Sequence, residues 1–154
     1  MSNLYRKGVG AFIINNNNQI FMAERLDIKN QWQMPQGGVE TGEDLDIAIF
    51  RELKEEVGTD KFEIIAKTDW LKYELSPESR AKLSNGKYIG QQQIWYFLKF
   101  TGADSDINLS ADIHPEFASW QWVEKQELVE SIIDFKKAMY QEILKFAIEN
   151  KIVY

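Results

Sequence analysis

Apolar positions along the chain fall into runs with two periodicities. Gly8 to Ile14 and Gln19 to Ala23 are β-prone runs on either side of Asn15-Asn16-Asn17-Asn18. Asparagine tolerates positive φ, so this stretch predicts a β-hairpin with the asparagines as its turn. Asp27 to Asn30 reads as a polar loop, and Trp32-Gln33-Met34-Pro35-Gln36-Gly37-Gly38 carries the chain onward. There Pro35 biases Met34 away from helix, and the glycines allow a tight turn close to a ligand. Phe62 to Leu75 predicts one or two strands with a bend, and Ser76 to Lys87, polar with Pro77 and Gly86, a loop or short helix. Gln91 to Phe100 is a buried strand, and Phe117 to Val123 alternates with period two as another. From Glu124 the pattern turns helical, with Phe135, Met139, Ile143 and Phe146 as an apolar seam.

The longest interruption of the strand pattern is a helical segment ending at Gly58. Thr41 and Asp44 have the spacing of a capping box at its start. Ile49, Phe50, Leu53 and Val57 share one arc, which gives the helix a buried side. Glu52, Glu55 and Glu56 fall beside it, within about a third of the circumference, with the small Ala48 near that stripe. Strands before and after a central helix, closed by a C-terminal helix, predict an α/β protein with a mixed sheet and helices on both faces.

Carboxylates at i, i+3 and i+4 repel one another, so a helix that clusters them either faces water or holds a cation. Magnesium takes oxygen ligands, commonly one or two carboxylates together with substrate phosphate oxygens. Most acidic helix faces are merely solvated, so the stripe alone does not decide the matter. The spacing does. Counting from Gly37, glutamate follows at Glu43, then Arg51-Glu52, the apolar Leu53, then Glu55-Glu56 and Gly58. The segment 37–59 resembles the Nudix box, the signature of hydrolases that cleave nucleoside diphosphates linked to another group. Thr59 stands where that family usually has an aliphatic residue. The resemblance implies a single-domain α/β/α sandwich.

Motifs outside the box narrow the resemblance. Trp32 to Gly38, Gly90-Gln91-Gln92-Gln93-Ile94-Trp95, Pro115-Glu116-Phe117 with Trp120 and Trp122, and Phe135-Lys136-Lys137 with Tyr140 look like bacterial RNA pyrophosphohydrolases and the related diadenosine tetraphosphate hydrolases. The likeness runs from about Tyr5 to Phe146. It implies that Glu52, Glu55, Glu56 and Glu116 bind metal with the carbonyl of Gly37 or Gly38, and that Arg51 holds a neighbouring glutamate. It implies further that Arg6 and Arg25 meet phosphates and the first base. Phe135 would be the ring that sandwiches that base, Lys136 would lie beside the phosphates, and Tyr73 and Gln93 are weaker phosphate or ribose contacts. Read by themselves, Glu116 is a surface carboxylate, Phe135 a core residue and Tyr73 a structural strand residue. His114 reads as a loop residue without a catalytic part. Lys7 replaces a proline common after the Tyr-Arg pair, and Glu24 precedes Arg25 where a second basic residue is expected.

Composition adds bounds. With 154 residues, 44% hydrophobic and 27% charged, the chain fits one domain spanning 1–154. The absence of cysteine excludes disulfides, thiolate catalysis and cysteine-ligated zinc. No long apolar run follows the first residues, so neither a signal peptide nor a membrane span is indicated, and the cytoplasm is the default. A net charge of -6 argues against broad nucleic-acid binding but not against capture of a 5′ end by a few basic residues and bound metal.

Taken with the resemblance, these features lead us to expect a metal-dependent pyrophosphohydrolase acting on triphosphorylated RNA 5′ ends, with Glu55 or Glu56 as general base. Magnesium is the expected ion, with manganese or another divalent metal as substitutes, and a monomer or weak oligomer is expected. The nearest alternative is asymmetric cleavage of diadenosine tetraphosphate to ATP and AMP. A non-catalytic nucleotide-binding module is a rival of another class, but it would be expected to have lost box glutamates, and none is lost here.

Overall fold

The computed structural model describes residues 4–74, 88–130 and 134–153. The elements in chain order are β1 (Tyr5–Ile14), β2 (Ile20–Arg25), β3 (Trp32–Gln33), β4 (Gln36–Gly38), α1 (Leu45–Glu56), β5 (Phe62–Lys67) and β6 (Leu71–Glu74). They continue with β7 (Gly90–Phe100), a 3₁₀ turn at Asp104–Asp106, β8 (Phe117–Val123), α2 (Lys125–Glu130) and α3 (Asp134–Glu149). The hairpin, the strands around Phe62, Gln91 and Phe117, and the central and C-terminal helices lie where the apolar pattern puts them. The segment Ser76 to Lys87 lies outside the described residues.

The sheet is mixed. β1 and β7 run parallel, in register from Tyr5 opposite Gly90 to Ile14 opposite Lys99, and β2, β3, β5, β6 and β8 extend the sheet by antiparallel pairing. Because β1 and β7 are covered on both faces, their inner residues read as nearly continuous apolar runs rather than alternations. On one face Phe12, Met22, Trp95 and Phe97 pack with Met139, Tyr140 and Ile143 of α3. On the other, Val9, Ile13, Phe21 and Tyr96 pack with Ala48, Ile49 and Leu53 of α1. Burying an aliphatic side chain such as Leu53 contributes roughly 1.5–3 kcal/mol. These apolar contacts hold the glutamate-bearing helix against the sheet.

Four local expectations are corrected. The N-cap of α1 is Asp44, whose carboxylate accepts from the Ile47 N–H at 3.2 Å, so Thr41 does not cap. Residues 40–43 instead close their own turn, with the Glu43 N–H donating to the Glu40 carbonyl at 3.0 Å and the Glu40 N–H to Glu43 Oε1 at 3.1 Å. Ala48 is fully buried against the sheet and so serves packing rather than space beside the carboxylates, with the half-buried Phe50 packed against the same cluster. The stretch Trp32 to Gly38 is not a plain connector but supplies β3 and β4.

The fourth concerns Gly37 and Gly38, which lie in strand β4 and not in a tight turn. Among the described glycines, positive φ belongs to Gly42 and Gly58. The requirement at Gly37 is space, because a Cβ there would run into the Glu52 carboxylate. Thr59, the departure from the aliphatic pattern, is buried, and its hydroxyl accepts from the Lys61 N–H at 3.1 Å.

Candidate active site

The site is assembled where β1 has two partners. Its first half pairs with β7 on one side and with β4 on the other, placing Gly8 opposite Gly38 and Gly10 opposite Gln36. Gly8 and Gly10 permit that crowding, since a Cβ on Gly8 would lie 2.8 Å from the Gly37 carbonyl oxygen and one on Gly10 would enter the Trp95 indole. Two bonds from elsewhere fix the approach to β4. The Ala11 N–H donates to the Pro35 carbonyl, and the buried Tyr140 hydroxyl accepts from the Met34 N–H, both at 2.9 Å. A core residue of α3 thus helps set the position of Gln36-Gly37-Gly38.

A cleft of about 250 Å³ opens between β4, α1 and the edge of β7. Glu52 and Glu56 reach it from α1, and Glu116 from the segment before β8. Arg6, Lys7 and Gly8 enter from β1, Gln36 and Gly37 from β4, and Gln91 and Gln93 from β7. Of these, Lys7, Gln36 and Gln91 are not picked out by the sequence. For Gln91 a signal exists in alternation, since it lies two residues from Gln93 on one strand and shares its face, whereas Lys7 and Gln36 come in only through the pairing of β1 with β4 and β7.

Arg51 forms one electrostatic corner. Its Nε lies 2.7 Å from Glu43 Oε2 and its Nη2 2.9 Å from Glu43 Oε1, a bidentate pair. The same guanidinium donates to Glu52 Oε1 at 3.0 Å and to the Gly38 carbonyl at 3.1 Å, and stands 3.5 Å from Glu55 Oε2. Glu43 is accordingly held down at about 2, chiefly by the hydrogen bonds from Arg51. The neighbouring glutamate that Arg51 was expected to hold is thus both Glu43 and Glu52.

The cleft floor behaves in the opposite way. Glu56 is buried, and its carboxyl is pushed up to about 10, first by desolvation and then by the charges of Glu116 and Glu52. Glu52 is raised as well, mainly by burial, with Arg51 opposing. Glu56 Oε2 is buried and has no hydrogen-bond partner among the described residues. An acceptor oxygen in that condition carries an unrecovered desolvation cost, which a proton or a cation would relieve.

The predicted residues separate into groups. Glu52, Glu56, Glu116, Gly37, Arg6 and Gln93 meet in the cleft. Glu55 shares the helix but is half-exposed and turned to Arg51, outside the cleft lining. Among the described residues no three acidic or histidine side chains stand in ready-made metal-ligating geometry. Gln93 is buried and anchored by the Trp95 indole N–H at 3.1 Å. Tyr73, raised to about 12 by burial, donates its hydroxyl to Gln91 beside the cleft.

Arg25 lines a second cavity of about 560 Å³, which meets the cleft at Gln36 and Glu116. Its guanidinium is held in a fork by Asp27, at 2.8 and 2.6 Å. Phe135 and Lys136 belong to the first turn of α3, and their side chains lie outside the described residues. His114 is exposed in the loop before Pro115.

The NUDIX domain model matches residues 4–144. The chain belongs to the Nudix family. Among similar Nudix proteins, an RNA pyrophosphohydrolase of Rhodospirillum rubrum is 46% identical over 141 residues, covering 91% of this chain and 85% of that relative. The chloroplastic Nudix hydrolase 26 of Arabidopsis thaliana is 44% identical, over 91% of this chain and 68% of its own length. Among solved structures, the E. coli dihydroneopterin triphosphate pyrophosphohydrolase superposes with a TM-score of 0.75 at 21% identity, covering 96% of this chain and 99% of that one. A C. elegans Ap4A hydrolase in a binary complex gives 0.67 at 21% identity, with 94% and 98% covered. At these identities the two structures speak for the Nudix fold.

As a Nudix hydrolase the protein is an enzyme of phosphoanhydride bonds, a chemistry that generally needs a divalent metal ion. The donor set fits one. The buried Glu56 with its unsatisfied oxygen, the half-buried Glu52, the exposed Glu116 and a strand carbonyl at Gly37 make an oxygen-rich site suited to a hard cation.

Proposed function

We propose that this protein is a magnesium-dependent RNA pyrophosphohydrolase that removes pyrophosphate from triphosphorylated 5′ ends and leaves 5′-monophosphate RNA. The observation that carries the reading is the buried Glu56 carboxyl, its Oε2 without a partner among the described residues, beside Glu52 and Glu116 in a cleft that Arg6 and Lys7 also line. The acidic group is built to need positive charge, the basic pair to supply it to phosphates.

In this reading Glu52, Glu56, Glu116 and the Gly37 carbonyl hold the metal, and Glu55 joins them when it turns from Arg51 towards the cleft. A magnesium ion held there would supply charge to neutralise phosphate oxygens and to lower the pKa of the attacking water. Arg6 and Lys7 grip the phosphate chain from β1. Arg51 keeps Glu52 oriented through a charge-assisted bond and ties it to the Gly38 carbonyl on β4. A box glutamate, Glu55 or Glu56, takes the proton of the attacking water.

Arg25, forked by Asp27, presents a guanidinium plane to the first base in the adjoining cavity, and the family resemblance offers Phe135 as the ring partner of that base and Lys136 as a phosphate contact. Tyr73 and Gln93 steady the wall through Gln91 and Trp95. We take residues 1–154 to work as one catalytic domain, a monomer or weak oligomer in the cytoplasm. Among the described residues no helix is long and apolar enough to cross a membrane.

The test is kcat/KM with magnesium for a short 5′-triphosphate RNA and for diadenosine tetraphosphate, with products identified by mass spectrometry. A preference of tenfold or more for the RNA is expected, about 1.4 kcal/mol of transition-state stabilisation. The reverse preference would make dinucleoside polyphosphates the main substrate.

A further inference from the structure

Two cavities flank the carboxylate cleft, and the proposed reaction on RNA uses only one of them. The Arg25 cavity joins the cleft at Gln36 and Glu116. A groove of similar size, about 550 Å³, joins it at Arg6 and Lys7 and shares no lining residue with the Arg25 cavity. Among the described residues the cleft therefore adjoins two cavities that have no lining residue in common. A triphosphate with one nucleoside arm fills the cleft and one of them.

The chemistry of the second groove suits a planar heterocycle next to phosphates. Tyr5, Trp70 and Tyr88 contribute aromatic rings, all half-buried, and Arg6 and Lys7 mark its junction with the cleft. The rings already attract cations. Lys7 Nζ lies 5.7 Å from the Trp70 ring centroid and Lys72 Nζ 5.1 Å from that of Tyr5. Aromatic faces interleaved with lysine and arginine are a combination that stacks nucleobases and tracks their phosphates. Two acidic residues also line the groove. Glu43 is neutralised by its fork with Arg51, and Glu40 is exposed at the rim.

We propose that the groove of Tyr5, Trp70 and Tyr88 is a second nucleobase subsite. It takes the base on the far side of the phosphate chain in 5′–5′-linked dinucleoside polyphosphates. The inference rests on the carboxylate cleft being the hydrolytic centre. One nucleoside lies in the Arg25 cavity, the phosphates pass along the cleft under Arg6 and Lys7, and the second base stacks on Trp70 and Tyr88. A 5′-triphosphate RNA leaves that groove empty.

The variants to make are Trp70→Ala, Trp70→Phe and Tyr88→Ala, each assayed with magnesium on diadenosine tetraphosphate and on a 5′-triphosphate dinucleotide. Trp70→Ala and Tyr88→Ala should each lower kcat/KM for diadenosine tetraphosphate about tenfold and that for the dinucleotide less than about twofold. Trp70→Phe should recover most of the loss, because it keeps a ring.

Equal losses on both substrates, or none on either, would overturn the subsite. Titration calorimetry of diadenosine tetraphosphate without metal tests the groove apart from turnover, with about tenfold weaker binding expected in Tyr88→Ala and unchanged binding overturning it. A wild-type enzyme that binds diadenosine tetraphosphate in this way yet cleaves neither substrate would overturn the hydrolytic reading and leave the subsite standing.

Discussion

Glu43 and Glu56 belong to the same box and differ only in where the fold puts them. Glu43 meets the Arg51 fork and is held down at about 2, whereas Glu56 meets two more carboxylates and the core and is pushed up to about 10. The Arg51 corner is complete in itself, with guanidinium, carboxylates and the Gly38 carbonyl satisfying one another. The floor around Glu56 is incomplete, since nothing among the described residues donates to its buried Oε2. Buried carboxyls whose pKa is raised by desolvation and like charges cluster at functional sites, where the missing charge arrives with the ligand. The first region is built for stability, the second for a ligand, and Glu52 belongs to both.

The largest effect that could break this contrast is on turnover. Replacing Glu56 by Gln should lower kcat on 5′-triphosphate RNA by on the order of a thousandfold, roughly 4 kcal/mol. The metal-free melting temperature should hardly move, because a buried neutral carboxyl and an amide are close in size and charge. Near-normal turnover at matched magnesium, or a collapse in thermal stability, would show that Glu56 is part of the structural corner after all. Arg51→Ala addresses the other side. Deleting the guanidinium that Glu43, Glu52 and the Gly38 carbonyl share should lower the melting temperature measurably, read by calorimetry, and an unchanged melting temperature would show that the corner adds nothing to the fold.

Magnesium sharpens the contrast at intermediate scale. At a hundred times its dissociation constant, the ion should stabilise the wild-type fold by about 2.7 kcal/mol and leave the Glu56→Gln protein nearly unaffected. Equal stabilisation of both would place the ion elsewhere. The smallest effect is on titration. Glu43 has a depressed carboxyl, so its contribution to stability is present above the ordinary value of 4.5 and is lost as pH falls towards about 2. Carbon-13 shifts of its carboxyl should show a midpoint near 2, and a midpoint above 4 would dissolve the Arg51 corner.

Much of the fold was legible because it rests on local pattern. The hairpin follows from two apolar runs around four asparagines, with Asn18 at φ 60° in the turn. β8 spans Phe117–Val123 as its alternation predicts. Where the sequence misled, two local signals competed. Thr41 and Asp44 are both good caps, and the turn formed by Glu40 and Glu43 decided for Asp44. Ala48 lies next to the glutamates in angle around the helix, yet the sheet approaches from that side, and only packing reveals it.

For the site, the sequence determined the chemistry: the residue types, the helix that carries Glu52, Glu55 and Glu56, and the glycines that precede it. It did so because helix periodicity and the spacing of the box are properties of neighbours along the chain. Only the tertiary structure decided which carboxylates meet. Glu116 joins Glu56 from a distant segment, Glu55 turns aside to Arg51, and Lys7, Gln36 and Gln91 enter the wall through strand pairing between β1, β4 and β7. The physical reason is that a carboxylate's protonation and ligating power depend on burial and on charges brought in from elsewhere, which no local pattern encodes.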